Sequence, residues 1–192
     1  EWKEDYNRSD PQAKQLRNIG KSHHNDPGYY FSRALAVNVL PRTCDGNIIV
    51  GIREGENYDG WIHGVAGWME FKKDVSKVNP LHDCHRELEE EVGIKNDDIT
   101  ALSLLGQVSF PHTLEADIIY LAQLNKPSSY FENGTWKTAV DAKEHHQLIT
   151  LKNREQVCML LEEGKLPDGK RYQAMPSTQY GLEAIAKNWK KL

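Results

Sequence analysis

Nine consecutive residues, Arg86-Glu87-Leu88-Glu89-Glu90-Glu91-Val92-Gly93-Ile94, put four carboxylates and one guanidinium into two and a half helical turns. At ~100° per residue, Asp83, Glu87, Glu90 and Glu91 fall on an arc of about 100°. Leu81, Cys84, Leu88 and Val92 form a narrow apolar stripe, and the acidic arc is expected roughly opposite it. Glu87 stands three and four residues before Glu90 and Glu91, so the three side chains can converge. Like charges at that spacing repel and weaken a bare helix. A divalent cation reverses the sign. Oxygen donors without His or Cys suit Mg²⁺ or Mn²⁺ better than Zn²⁺. The plain alternative is a solvated acidic face carrying an Arg86–Glu90 pair at i, i+4.

Such a cluster works only if something positions it. Asn79 is a good N-cap, Pro80 suits the first helical position and Gly93 suits the C-terminal cap. These signals predict a helix over Pro80–Val92. Upstream, Ser32–Leu40 and Asn47–Arg53 read as strands joined by the Cys44-Asp45-Gly46-Asn47 turn, a hairpin signal. Trp61–Met69 alternates aromatic, apolar and glycine residues, as one strand would. Ile99–Val108, Ile118–Leu124 and His145–Thr150 read as further strands. Asn153–Gly164 and Thr178–Lys191 read as helices, with Leu160, Leu161, Leu182, Ile185 and Trp189 as apolar positions. Interleaved strands and helices predict an α/β (α+β) fold, a mixed sheet between helical layers.

The run from Arg86 to Ile94 resembles the core of the Nudix box, G-x5-E-x7-R-E-U-x-E-E-x-G-U, where U is a bulky aliphatic residue. Every specified position in that core matches. Gly67-Trp68-Met69-Glu70 resembles the strand that leads into the box, and Ala34–Arg53 resembles the first core strands of the family. The resemblance covers residues 30–190 and implies an α/β/α sandwich, a divalent metal and hydrolysis of a diphosphate linked to another moiety. It implies Glu87, Glu90 and Glu91, with the Gly67 carbonyl, as metal ligands. Glu87 and Glu90 are the expected catalytic carboxylates, with Arg86 orienting them through charge-assisted hydrogen bonds. Arg53, Trp61 and Glu70 are candidates for contacts to substrate. Glu115, Asp117, Glu132, Asp141 and Glu144 are candidates for the later-loop acid that helps position water in many relatives. Pro111-His112-Thr113 could line the pocket.

The chain departs from the pattern before the helix. Counted back from Arg86, the box Glu position holds Val78 and the box Gly position holds Lys72. With Gly67 as the box Gly, about five extra residues precede the helix and the Glu position falls on Lys73. Asp74 or Asp83 could substitute. This departure motivates a second expectation, a Nudix-fold module that binds a nucleotide without efficient catalysis. Isomerases of isopentenyl diphosphate share the architecture but use an active-site Cys, for which no position is evident.

At 192 residues the chain suits a polar arm over 1–28, with a short helix near Gln12–Ile19, and one domain over 29–192. The net charge of −4 argues against extended nucleic-acid binding. No apolar run is long enough to span a bilayer, and no signal peptide is expected from the first residues given. Cys44, Cys84 and Cys158 are widely spaced and odd in number, so a reducing cytoplasm is the expected compartment. A homodimer is possible, as in many relatives. His145-His146 is expected to be a solvated pair, and His82 and His85 are poor ligand candidates beside so many carboxylates.

Overall fold

Aliphatic and β-branched runs without helical period make the two central strands, β1 (Ala34–Arg42) and β2 (Ile48–Arg53). Asp45-Gly46 turns the chain between them. The Thr43 N–H donates to the Asn47 carbonyl at 2.9 Å, and Arg42 pairs opposite Ile48. The Asp45 carboxylate is itself held by the Ser128 N–H at 3.0 Å and hydroxyl at 2.7 Å. The computed structural model describes residues 8–31, 34–55, 58–69, 78–110 and 115–191. Expectations placed on Glu70, Lys72, Lys73, Asp74 and Pro111-His112-Thr113 lie outside the described residues.

The single strand expected over Trp61–Met69 is two, β3 (Ile62–His63) and β4 (Val65–Trp68). The break falls at Gly64, whose N–H donates to Thr178 Oγ1 at 3.0 Å and not to a neighbouring strand. Freed there, the chain changes partner: β3 pairs with β2, and β4 crosses to pair antiparallel with β1. The remaining strands are β5 (Ile99–Phe110), β6 (Glu115–Leu124) and β7 (His145–Leu151). β6 runs parallel to β1 along its whole length, β5 is antiparallel to β6, and β7 is antiparallel to β2. The result is a seven-stranded mixed sheet ordered β3-β2-β1-β6-β5, with β4 beside β1 and β7 beside β2.

Helices cover both faces, as the α/β/α expectation requires. α1 (Pro11–His24) is longer than the Gln12–Ile19 expected. Asp10 caps it by accepting from the Ala13 N–H at 3.0 Å, and Asn25 closes it in the left-handed region. α2 (Pro80–Val92) has the predicted bounds and caps, with Asn79 accepting from the Leu81 N–H and Gly93 at the C-cap. α3 (Ser129–Glu132) is a single turn. α4 (Arg154–Glu163) is capped by Asn153 and Gly164, and α5 (Pro176–Asn188) starts two residues before Thr178 and ends in a 3-10 turn through Lys191. On one face Val37, Val39, Ile49 and Val65 pack with Cys84, Leu88 and Val92 of α2. On the other, Leu40, Ile48, Val50 and Ile62 pack with Val157, Leu160, Leu182 and Ile185 of α4 and α5. Each fully buried Leu or Ile contributes roughly 1.5–3 kcal/mol. No helix among the described residues is long and apolar enough to cross a membrane.

Candidate active site

Helix α2 does not turn its acidic arc away from the core. Asp83, Glu87 and Glu91 are buried along with Cys84, Leu88 and Val92, whereas Leu81 is 43% exposed. The arc that faces the sheet is therefore centred between Glu91 and Cys84, not on the apolar stripe. The reason lies in β4, which offers this part of the helix two small residues and their backbone. A Cβ on Gly67 would land on the Glu87 carboxylate, so only glycine allows strand and carboxylate to come so close. One residue earlier, the Ala66 N–H donates to Glu91 Oε1 at 3.0 Å. Gly67 itself lies opposite Val37 in the β1/β4 ladder. Glu89 is exposed, as expected.

Arg86 organises the other side of the cluster. Its guanidinium donates to Glu90 Oε2 at 2.8 Å, to Asp83 Oδ1 at 3.3 Å and to the Trp68 carbonyl at 2.9 Å, and it pairs with Glu87 Oε1 at 2.6 Å. Three carboxylates hold it firmly charged. It thus binds helix to strand as well as carboxylate to carboxylate. Glu90 is the carboxylate tied to Arg86, while Glu87 and Glu91 are the two set against β4. Burial, and then the neighbouring Glu91, pushes Glu87 up to about 7 despite the guanidinium beside it. Burial raises Glu91 well above the usual carboxylate range, with Glu144 and Asp141 adding to the effect and Arg53 opposing it.

His145-His146 is not a solvated pair. His146 is exposed and bridges Glu54 at 3.2 Å and Asp59 at 2.8 Å. His145 is fully enclosed, with Nε2 2.8 Å from Glu91 Oε2. The contact is short but too far out of line for a hydrogen bond, so Glu91 Oε2 is a buried acceptor with no hydrogen-bond donor. The His145 ring stacks on His63 and takes the edge of Trp136. Burial pushes the pKa of His145 down to about 4 and that of His63 well below the ordinary histidine value.

The other expected residues divide. Arg53, at the end of β2, lies close enough to Glu91, His145 and His63 for its charge to act on all three. Trp61 is half-buried and packs edge-on against Tyr58 at 5.1 Å. Of the five later acids, Asp141 and Glu144 lie near the C-terminal end of α2, the Asp141 N–H donating to the Glu90 carbonyl at 2.7 Å. Glu132 pairs with Lys152, and Asp117 takes a hydrogen bond from Ser177 on the opposite face of the sheet. Sequence reasoning passed over His145 and Trp68. Trp68 follows Gly67 in a strand, so the pleat alone turns it to the other face; no comparable local signal marks His145.

Among the described residues no three His, Cys, Asp or Glu side chains form a ready-made metal-ligand set. The site instead offers two carboxylates beside a strand backbone. Oxygen-only donors and a glycine cradle that a Cβ would fill together fit a hard divalent cation, which uses few protein ligands when phosphate oxygens supply the rest.

The fold and the box helix define the class: the chain has the Nudix fold. No protein-family model matches it, and no curated protein does. Solved structures do. A Nudix hydrolase from Listeria monocytogenes superimposes with a TM-score of 0.52 at 16% identity, over 82% of this chain and 94% of that one. A MutT Nudix hydrolase from Burkholderia pseudomallei gives 0.54 at 18% identity, over 80% and 98%. The Nudix domain of Shewanella oneidensis NrtR, complexed with ADP ribose, gives 0.52 at 10% identity, over 91% and 98%.

Proposed function

We propose that this chain is a Mg²⁺- or Mn²⁺-dependent pyrophosphohydrolase that cleaves a nucleoside diphosphate linked to another moiety. The observation that carries the reading is the pinning of Glu87 against Gly67, with Glu91 one residue along on Ala66, in a Nudix fold. Glu87 and Glu91 would hold the metal, which when bound offsets phosphate charge and acidifies a water. The Gly67 carbonyl, expected as a further ligand, is turned into the β1/β4 ladder opposite Val37, because Ala66 and Trp68 are the residues whose backbone groups face α2. Glu87 or a later-loop acid would take the proton from the attacking water. Arg86 fixes Glu87 and Glu90 relative to each other and to β4. The ADP ribose in the Shewanella domain supports a small nucleotide-type substrate. A reducing cytoplasm, suggested by the three free cysteines, belongs to the same proposal.

The substrate side of the site follows from register. Across β4, β1 and β6, Trp68, Ala36 and Asp117 stand side by side, on the face turned away from α2. Two strand spacings separate the ends of this row, about 10 Å. Trp68 is 50% exposed on the opposite face of β4 from the carboxylates, so it meets only a base that passes round this strand from a diphosphate held at them. Stacking of a base on an aromatic ring is worth ~1–3 kcal/mol. Trp68→Ala should therefore raise KM about tenfold with kcat nearly unchanged. A fall in kcat with KM constant would remove Trp68 from substrate binding.

The reading is tested by incubating the protein with nucleoside diphosphate sugars, ADP-ribose, dinucleotides and nucleoside triphosphates, with Mg²⁺, Mn²⁺ or EDTA, and separating the products. Metal-dependent release of a nucleoside monophosphate from one class is the expected result. Nucleotide binding without product would favour the non-catalytic module, a reading supported by the enclosure of Glu91, 1% exposed and faced by protein at both oxygens. Isomerase chemistry has no support: Cys84 lies inside the core, and burial pushes its thiol up to about 12.

A further inference from the structure

Strands β2 and β7 pair regularly from Ile48↔Leu151 to Ile52↔Gln147, then slip, so that Arg53 pairs with His145. The extra residue is His146. Alternation fixes the consequence: Ile49 and Gly51 face α2, and their partners Thr150 and Leu148 share that face. Without the bulge, His146 would be the next residue of β7 to face α2. The bulge exchanges the two, sends His146 outward to Glu54 and Asp59, and turns His145 inward. Gly51 then makes room, since a Cβ there would collide with the His145 ring. His63 lies against one side at 4.6 Å between ring centroids, and Trp136 meets it edge-on at 5.9 Å. All of this delivers Nε2 to 2.8 Å from Glu91 Oε2.

We infer that His145 is a positioning residue for Glu91. The Ala66 N–H holds one carboxylate oxygen and the His145 ring confines the other, so Glu91 presents a single orientation to an incoming cation. The inference rests on the proposed metal site. Groups behind a ligand commonly change metal affinity ten- to a hundredfold when removed.

The test is calorimetric titration of the full chain with Mn²⁺ alone, no substrate present, comparing wild type, His145→Ala, His145→Gln, His146→Ala and Leu151→Val. Leu151→Val mildly destabilises the same strand away from the site. His145→Ala should weaken Mn²⁺ binding about tenfold to a hundredfold. His145→Gln, which keeps a polar group toward Glu91, should recover most of that loss and serves alone if the alanine variant does not fold. His146→Ala and Leu151→Val should bind as wild type does. Wild-type affinity in both His145 variants, or an equal loss in Leu151→Val, would overturn the inference while leaving the metal reading intact. Absence of Mn²⁺ binding by the wild type would overturn both.

Discussion

Glu91→Gln should abolish metal-dependent turnover and yet, in EDTA at pH 8, raise the melting temperature above that of the wild type. The two effects share a cause. Glu91 is a carboxylate enclosed by protein, and its charged form is disfavoured first by burial and then by Glu144. Glutamine keeps Oε1 as the acceptor for the Ala66 N–H. Its amide faces His145 without a charge to desolvate, and His145 is neutral at that pH because burial pushes its pKa down to about 4. The charge that weakens the metal-free fold is gone, and so is a ligand. Loss of several kcal/mol of charge stabilisation corresponds to a rate reduction beyond a hundredfold.

The same argument gives the wild type a pH dependence of definite sign. A carboxyl whose folded pKa is raised contributes stability that is complete below its unfolded value and is lost as pH rises through the folded one. For Glu87 the window runs from 4.5 to about 7, and Glu91 extends it upward. The shift of Glu87 alone corresponds to at most ~3 kcal/mol. Buried His145 and His63, held below 6.5, act with the opposite sign under that pH, so the fall is expected above it. In EDTA the melting temperature should drop between pH 6.5 and pH 8, Mg²⁺ should reverse the drop, and Glu91→Gln should show a shallower one. Substantial turnover of Glu91→Gln at saturating Mg²⁺ would sink the ligand role. A lower melting temperature for that variant at pH 8 in EDTA would sink the buried-charge argument.

Gly67→Ala should lose activity too, but with little change in stability. The three atoms nearest the added Cβ all belong to the far end of the Glu87 side chain, so the carboxylate can swing aside. Alanine in a strand also restricts the unfolded chain, an effect of ~0.4–1 kcal/mol in its favour that offsets part of the crowding. The displaced carboxylate is the difficulty, because an error of about 1 Å at a reacting group can cost roughly a hundredfold in rate. A melting temperature within a few degrees of wild type, with kcat down about a hundredfold, is the expected outcome. Full activity in Gly67→Ala would show that the Glu87–Gly67 approach has no functional meaning.

The parts of this site legible in the sequence are those set by local periodicity. Asn79, Pro80 and Gly93 mark the ends of the helix, and the 3.6-residue repeat groups its carboxylates, because both depend only on residues within a turn or two. Which side of that group faces inward was misread: at ~100° per residue Glu91 stands only about 20° from Cys84, so the acidic arc adjoins the apolar stripe, and Gly67 in a different element then lets β4 approach the carboxylates. The division of Trp61–Met69 into two strands depends on Thr178, more than a hundred residues away, capturing the Gly64 N–H. His145 was read as solvated because strand alternation cannot reveal an unmarked bulge: one extra residue in β7 decides which of two adjacent histidines meets Glu91. Nearest-neighbour chemistry is written in the sequence, whereas contacts between distant elements are written in the sheet.

The bond from Arg86 to the Trp68 carbonyl has a bearing on how this region tolerates change in length. It fastens the last residue of β4 to the middle of α2, so the two form one body whatever joins them. Lengthening the connection between them costs only loop-closure entropy, about 0.6 kcal/mol for each doubling. The additional residues that set this chain apart from the box spacing therefore leave Glu87 where it stands against Gly67. A change of length there should alter neither the position of Glu87 nor that of Glu91.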